Sequence, residues 1–412
     1  MKENNGKAAT QRFWKQISAV ISITFFVIGL IGVLDVRRSK TTRSRFRRKQ
    51  QIKSEQQHQI NPNSNALRDG IPQQQQFVAD ALFTLVDIVL TPQSFIANKE
   101  ERYKGVIGVF CPIQWELHRS NPSKYPMFRD LIEASQCSRQ SIRMDLWTAV
   151  QQAKSVDAAT PARTKVLQLG GMVFHESRCG STLVANALVA SYPDLHRVYS
   201  ESPPPITALH ACEDDTCDES LSDQLLTDVL YLMSRTTTVH DTAEKVFFKI
   251  QSIGTVGGLE KIARVFPTLP WAFVYRDPVQ VMMSHLPDSR SIQYSNCLRT
   301  YHRPTTFYRN LIQRMAPTKS FDTLTYEEHC AAHLAQITES ARSVFSSHAT
   351  PNNNNKGVLI NYEDLPQALI DTVFPNHFQI STNNNVISTR ILEVCTHYSK
   401  GRGKKEEEWV ED

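Results

Sequence analysis

VLQLGGMVFHESRCGSTLVANALVA, Val166–Ala190, is the stretch on which the fold turns. An apolar run ends in a short polar turn containing Gly180, and a second run rich in Ala, Leu and Val follows. Strand, tight turn and helix in that order form a unit suited to anions. The start of the helix offers unpaired backbone N–H groups and the positive end of its dipole, and glycine lets the backbone approach closely. Arg178 adds a charged fork, while Ser181 and Thr182 add hydroxyl donors. A nucleotide-hydrolysing loop needs Gly-Lys-Ser/Thr, with the hydroxyl on Mg²⁺. No such tripeptide occurs in the chain, which disfavours a kinase or other NTPase. Taken alone, the turn also fits a plain helix start with a snug glycine.

Around this unit, apolar runs alternate with helical spacing. KVLQLGGMVF precedes the helix STLVANALVASY, KVFFKI precedes GTVGGLEKIARVF, WAFVYR precedes PVQVMMSHL, and GVLINY comes late. The alternation predicts a three-layer α/β fold with a parallel central sheet and helices on both faces. FRDLIEASQCSRQSIRMDLWTAVQQA reads as a peripheral helix pair.

The N-terminal part is of another kind. Ile17–Leu34 is eighteen residues without a charge, nearly enough to span a membrane, and DVRRSK follows it in place of a small-residue cleavage site. The net charge of +5 is concentrated in eight basic residues between Arg37 and Lys49, and a Gln- and Asn-rich stretch comes next. The expected organisation is a tail (1–16), a single membrane anchor (17–36), a basic and then disordered stem (37–76), and an α/β domain (77–412). The basic run lacks interleaved aromatic platforms, so no nucleic-acid partner is expected. Its position favours a cytoplasmic domain, and no Asn-x-Ser/Thr acceptor occurs. Of the eight cysteines, Cys212 and Cys217 in ACEDDTCDE could close a short disulfide or stand as two loop thiols.

Three further features are suited to anions. In WAFVYRDPVQVMMSHL an apolar strand ends at Arg276, and Ser284 follows two helical turns later, so both can face one group. GVLINYEDLP runs from a strand into an acidic turn, and SKGRGKKEEEW brackets basic residues with glycine. Together with SRCGSTL, these features resemble the sulfotransferase superfamily, whose donor is 3′-phosphoadenosine 5′-phosphosulfate (PAPS). The resemblance extends over roughly 165–403. It implies that Arg178, Cys179, Gly180, Ser181 and Thr182 form the 5′-phosphosulfate loop, and that Arg276 and Ser284 hold the 3′-phosphate. It further implies that Lys400, Gly401, Arg402 and Gly403 close over the nucleotide, with no metal required. The acceptor, whether carbohydrate, protein or small molecule, is left open.

Transfer to a hydroxyl needs a base. Cytosolic members carry Lys-Thr-His after a strand; FFKIQS retains Lys249 but has Gln251 in the place of the histidine. Membrane-bound tyrosylprotein sulfotransferases use a glutamate after a Pro-Asp turn, and SYPDLHRVYSESPPP places Glu201 at the similar position. Glu201 is therefore the candidate base, with Lys249 either stabilising the leaving oxygen or anchoring a carboxylate. His175, Glu176 and His285 are lesser candidates. Cys179 reads as a small filler in the loop, and because a helix N-terminus can lower a thiol's pKa, oxidative inhibition there is a further expectation. HCAAH, with His329 and His333 one turn apart, reads as a helix surface rather than a zinc pair. By family analogy the domain lies in the Golgi lumen, and acceptor contacts are expected in 202–223 and 289–325. The alternative reading is an inactive nucleotide-binding module or scaffold.

Overall fold

The predicted alternation builds a five-stranded parallel sheet flanked on both faces by helices. The computed structural model describes residues 73–396, apart from 92, 97–99, 213–216, 240, 287–294, 303 and 348–355. The predicted anchor, the stem up to residue 72 and Lys400–Gly403 lie outside the described residues, whereas the last four residues assigned to the disordered stem begin the helix Gln73–Ala79. Among those described, no helix is long and apolar enough to cross a membrane.

Three strands lead: β1 (Thr84–Val89), β2 (Ile107–Cys111) and β3 (Ile142–Asp145), which pair antiparallel in that order. Then come β4 (Thr164–Val166), β5 (Gln168–His175), β6 (His196–Ser200), β7 (Arg235–Thr237), β8 (Lys245–Lys249), β9 (Trp271–Tyr275) and β10 (Gly357–Asn361). The central sheet has the order β10-β9-β5-β8-β6, and β4 pairs with β7 in a small antiparallel ribbon.

Side chains alternate across the central sheet with the strand period of two. Met172, Phe174, Phe248, Phe273 and Tyr199 enter one core; Val173, Phe247, Ala272, Val274 and Val198 enter the other. The first core is covered by the helices Leu146–Ala159, Glu219–Ser234, Gly258–Val265 and Tyr326–Ser347. The second is covered by Ser181–Ser191 and Asn385–Thr396, through Val184, Leu188, Ile387 and Ile391. Strands buried on both faces explain why these runs read as continuously apolar rather than alternating.

Two local expectations are corrected, and one strand is added to them. KVLQLGGMVF is two strands in two different sheets, because Leu167 turns the chain between β4 and β5. The peripheral "helix pair" contains β3, whose residues Ile142–Asp145 pair with β2 and so leave the helical path. HRVYS, which the sequence reading assigned to no element, is the edge strand β6.

Six cysteines are paired, as Cys111–Cys137, Cys212–Cys217 and Cys297–Cys330, which resolves the open alternative at Cys212 in favour of the disulfide. Cys179 and Cys395 are free thiols.

Candidate active site

All five central strands run the same way, so their carboxyl ends share one edge, where open α/β sheets place their ligands. Following the sheet order, that edge presents Tyr362 after β10, Arg276 after β9, and the Glu176–Thr182 loop after β5. It continues with Lys249 and Gln251 at the end of β8 and Glu201 after β6. A cleft of about 860 Å³ lies over this edge. It is lined by Arg178, Cys179, Gly180, Ser181, Thr182, Glu201, Arg276 and Ser284, residues that come from four separate stretches of chain.

The loop is shaped by its backbone. Arg178 and Gly180 both have left-handed φ, 62° and 79°. Gly180 is the N-cap of the helix Ser181–Ser191, and no side chain caps that helix. A Cβ on Gly180 would lie 2.6 Å from Cδ2 of Tyr362. The turn can therefore rest against this ring only as glycine. The same ring carries the Arg276 guanidinium, 4.3 Å from its centroid, and Arg276 Nε donates to Gln280 Oε1 at 2.7 Å. Neither Arg178 nor Arg276 is paired with a carboxylate among the described residues. An uncapped helix start and two arginines without acidic partners make a site for phosphate or sulfate groups.

Beside the loop is a charged pair. Lys249 has only 1% of its side chain exposed, and its Nζ donates to Glu201 Oε1 at 2.5 Å and to Thr182 Oγ1 at 3.3 Å. Glu201 stands at φ 55°, a left-handed conformation costly for a side-chain-bearing residue, and its N–H donates to the Lys249 carbonyl at 2.7 Å. These contacts hold the carboxylate at the mouth of β6, with about a fifth of its side chain open to the cleft. One buried lysine thus links the carboxylate to a loop hydroxyl.

The lesser base candidates are placed differently. His175 is buried, donates from Nδ1 to the Glu176 carbonyl at 2.6 Å, and turns Nε2 toward Glu201 Oε1 at 3.7 Å. It can therefore orient Glu201. Glu176 faces away from solvent: its carboxylate accepts from Thr338 Oγ1 at 2.6 Å and from Arg276 N–H at 3.3 Å. Burial pushes its carboxyl up to about 7, these hydrogen bonds opposing the rise. His285 is buried, with Nδ1 3.3 Å from Ser295 Oγ, and is not among the cleft-lining residues.

Two expectations about side chains are corrected. Cys179 is the small filler the sequence suggested and not an oxidisable thiol: it donates to the carbonyls of Glu176 and Val274, and burial pushes its pKa up to about 12. No thiolate is therefore presented to an oxidant, and what the residue gives the loop is backbone. His329 and His333 lie on a helix as read, but on its buried face and not on a surface. His333 Nδ1 meets Thr300 Oγ1 at 2.7 Å, and its pKa is pushed down to about 3 by burial. Tyr308 OH and His329 Nδ1 are 3.0 Å apart. Among the described residues, no group of three potential metal-ligating side chains forms.

The cleft also has lining the sequence reading missed. Pro126, Met127 and Arg129 enter from the segment between β2 and β3, and Gln280 and Tyr362 flank Arg276. Of the expected acceptor segments, 289–325 contributes Asn296 and Arg299, whereas 202–223 contributes no lining residue among those described. Tyr362 stood inside the quoted NYEDL, and aromatic support for an arginine is a recurrent pairing. Arg129 and Arg299 carried no local signal.

No protein-family model matches the sequence, and a search of curated proteins finds no match. Among solved structures, a sulfotransferase from Alicyclobacillus acidocaldarius is similar, at 13% identity over 53% of this chain and 84% of that chain. The TM-score is 0.31, a likeness too low to bear on function.

Proposed function

We propose that the protein is a PAPS-dependent sulfotransferase, transferring a sulfuryl group to an acceptor hydroxyl. The observation that carries this reading is the division of the sheet edge. On one side stand an uncapped glycine turn and two arginines without carboxylate partners; next to them stands a carboxylate held by a buried lysine. In this reading Gly180, Ser181, Thr182 and Arg178 bind the 5′-phosphosulfate, and Arg276 with Ser284 binds the 3′-phosphate. All the ligand's charge is met by arginine, lysine and N–H donors, in the manner of preorganised electrostatic stabilisation.

Glu201 takes the proton of the acceptor hydroxyl as the acceptor oxygen bonds to sulfur. The bond from sulfur to the 5′-phosphate oxygen breaks, and 3′-phosphoadenosine 5′-phosphate (PAP) is the leaving product. Lys249, within reach of both Glu201 and Thr182, orients the base and meets the charge left on the departing oxygen. His175 buttresses Glu201 from below.

The same proposal extends to placement. Ile17–Leu34 anchors the chain in a membrane through a stem, and the folded domain lies in an oxidising lumen such as the Golgi. Three disulfides support that side over the cytoplasm, against the bias of the basic run.

The test is transfer of radiolabelled sulfate from PAPS to a mixture of polysaccharide, tyrosine-peptide and phenolic acceptors. Wild type should label one class. Glu201→Gln should lower the rate by about 10²–10⁴-fold while still binding PAP. Undiminished labelling in this variant would exclude Glu201 as base, and absence of labelling by wild type would contradict the enzymatic reading.

A further inference from the structure

The helix Tyr326–Ser347 covers the sheet face opposite the one covered by Ser181–Ser191, and it runs against the strands. Its Phe345 meets Trp271 at the amino end of β9, and its Thr338 meets Glu176 at the carboxyl end of β5. His333, five residues before Thr338, therefore stands about 7–8 Å beyond the carboxyl edge, at the helical rise of roughly 1.5 Å per residue. It continues the stripe of Ile337 and Ala341 that enters the core, and it lines the cleft on the wall across from the glycine turn. Its helix packs against Pro278–His285, which carries Ser284, and against Ser252–Thr255, which follows Gln251. His333 is thus placed between the donor end of the cleft and the Glu201 end.

The hydrogen bonds of this ring assign its proton. Gln336 Nε2 donates to Thr300 Oγ1 at 2.7 Å, which leaves the single hydroxyl proton of Thr300 for His333 Nδ1, also at 2.7 Å. Gln336 Nε2, a donor, lies 3.4 Å from the same Nδ1. Nδ1 is therefore an acceptor, and the proton of the neutral ring is on Nε2. Burial, with His285 and Arg299 nearby, pushes the pKa down to about 3, so the ring carries no charge near neutral pH. The Cys297–Cys330 bond holds the arrangement, joining the turn before Thr300 to the helical turn before His333. Nε2, on the ring edge opposite Nδ1, makes no hydrogen bond among the described residues. It belongs to a side chain only 1% exposed, and its edge is the one left for the cleft.

A ring whose Nδ1 is engaged and whose Nε2 already bears a proton cannot take one from the acceptor, so His333 does not compete with Glu201 as base. It can only donate. On the proposed function, on which this inference rests, the group lying between PAP and Glu201 is the sulfuryl group. The glycine turn meets it from one wall and Lys249 meets the bridging oxygen, so an oxygen turned to the other wall needs a donor there. We infer that His333 Nε2–H donates to a non-bridging oxygen of the transferred sulfuryl group. The contact exists in PAPS and is lost in PAP, so it favours the charged donor over the spent one.

The test uses the full chain with its disulfides intact and measures PAPS and PAP by calorimetry, without an acceptor. His333→Phe keeps a ring and removes the donor, whereas His333→Gln carries an amide N–H toward the place of Nε2. His333→Phe should weaken PAPS by about 10–100-fold, the loss expected for a hydrogen bond to a charged group. It should leave PAP unchanged, which also reports that the variant folds. His333→Gln should bind PAPS nearly as wild type does. Equal losses for the two nucleotides, no loss for either, or His333→Gln as weak as His333→Phe would overturn the contact. NMR of the imidazole nitrogens in the unsubstituted protein, with His333 assigned from the resonance missing in His333→Gln, needs no phenylalanine variant to fold. It should show the Nε2–H tautomer and a shift of Nε2 with PAPS that PAP does not produce; an Nδ1–H tautomer, or the same shift with both nucleotides, would overturn the contact as well. Failure of wild type to bind PAP would instead strike the proposed function itself.

Discussion

Replacing Glu176 by glutamine should stabilise the protein by an amount that grows with pH. Glu176 is 2% exposed, beneath the loop, and it ties the loop to the helix through Thr338 and to β9 through the Arg276 N–H. Burial, opposed by these two hydrogen bonds, pushes its carboxyl from the ordinary 4.5 to about 7. This displacement corresponds to about 3 kcal/mol between the two protonation states. The fold favours the neutral acid. Its contribution is therefore fully present below pH 4.5, declines as pH rises, and is lost once pH passes about 7. Glutamine keeps an oxygen acceptor for Thr338 and never ionises, so the variant lacks this decline. Urea unfolding of both proteins, with disulfides oxidised, measures the difference across that window. The stability of Glu176→Gln relative to wild type should rise by about 3 kcal/mol from the acidic to the alkaline side. A difference constant to within about 0.5 kcal/mol would refute the reasoning, because a carboxyl equally ionised in both states contributes no slope.

Two other substitutions address the donor end. Arg276→Ala should weaken PAP by about 10–100-fold in calorimetry, the loss expected for charged hydrogen bonds, and should affect adenosine 5′-phosphosulfate, which lacks the 3′-phosphate, far less. Equal losses for both ligands would contradict the 3′-phosphate role. Gly180→Ala places a methyl 2.6 Å from the Tyr362 ring at φ 79°. It should cost about 1–3 kcal/mol in thermal unfolding and abolish protection by PAP; unchanged stability would show that the turn does not need glycine.

The parts of the site legible in the sequence are those written in a few consecutive residues. The glycine turn, the arginine ending β9 and the lysine ending β8 each follow an apolar run, and a parallel sheet brings the ends of such runs to one edge. Glu201 was singled out through the family resemblance, and its strand was not legible: HRVYS opens on His196 and Arg197 and so lacks the apolar run by which KVFFK and WAFVY were read. What was hidden depends on tertiary paths. Thr338 lies 162 residues from the Glu176 it hydrogen-bonds, and Arg129 enters from a different sheet's neighbourhood. IRMD shows no strand alternation strong enough to break a helical reading, and only its pairing with β2 made it a strand. The spacing of His329 and His333 fixes their shared helix face but not what covers that face; Thr300, Tyr308 and the Cys297–Cys330 bond cover it here.

The central claim is that the glycine turn and Arg276 hold a 3′,5′-bisphosphorylated nucleotide without a metal ion. Thermal unfolding in the presence of PAP, compared with ADP plus Mg²⁺, tests it most directly, since a ligand that binds only the folded state raises the midpoint in proportion to its occupancy. PAP should raise the midpoint, undiminished by a chelator, and ADP with Mg²⁺ should raise it little. Greater protection by ADP with Mg²⁺, or no shift with either nucleotide, would contradict the account.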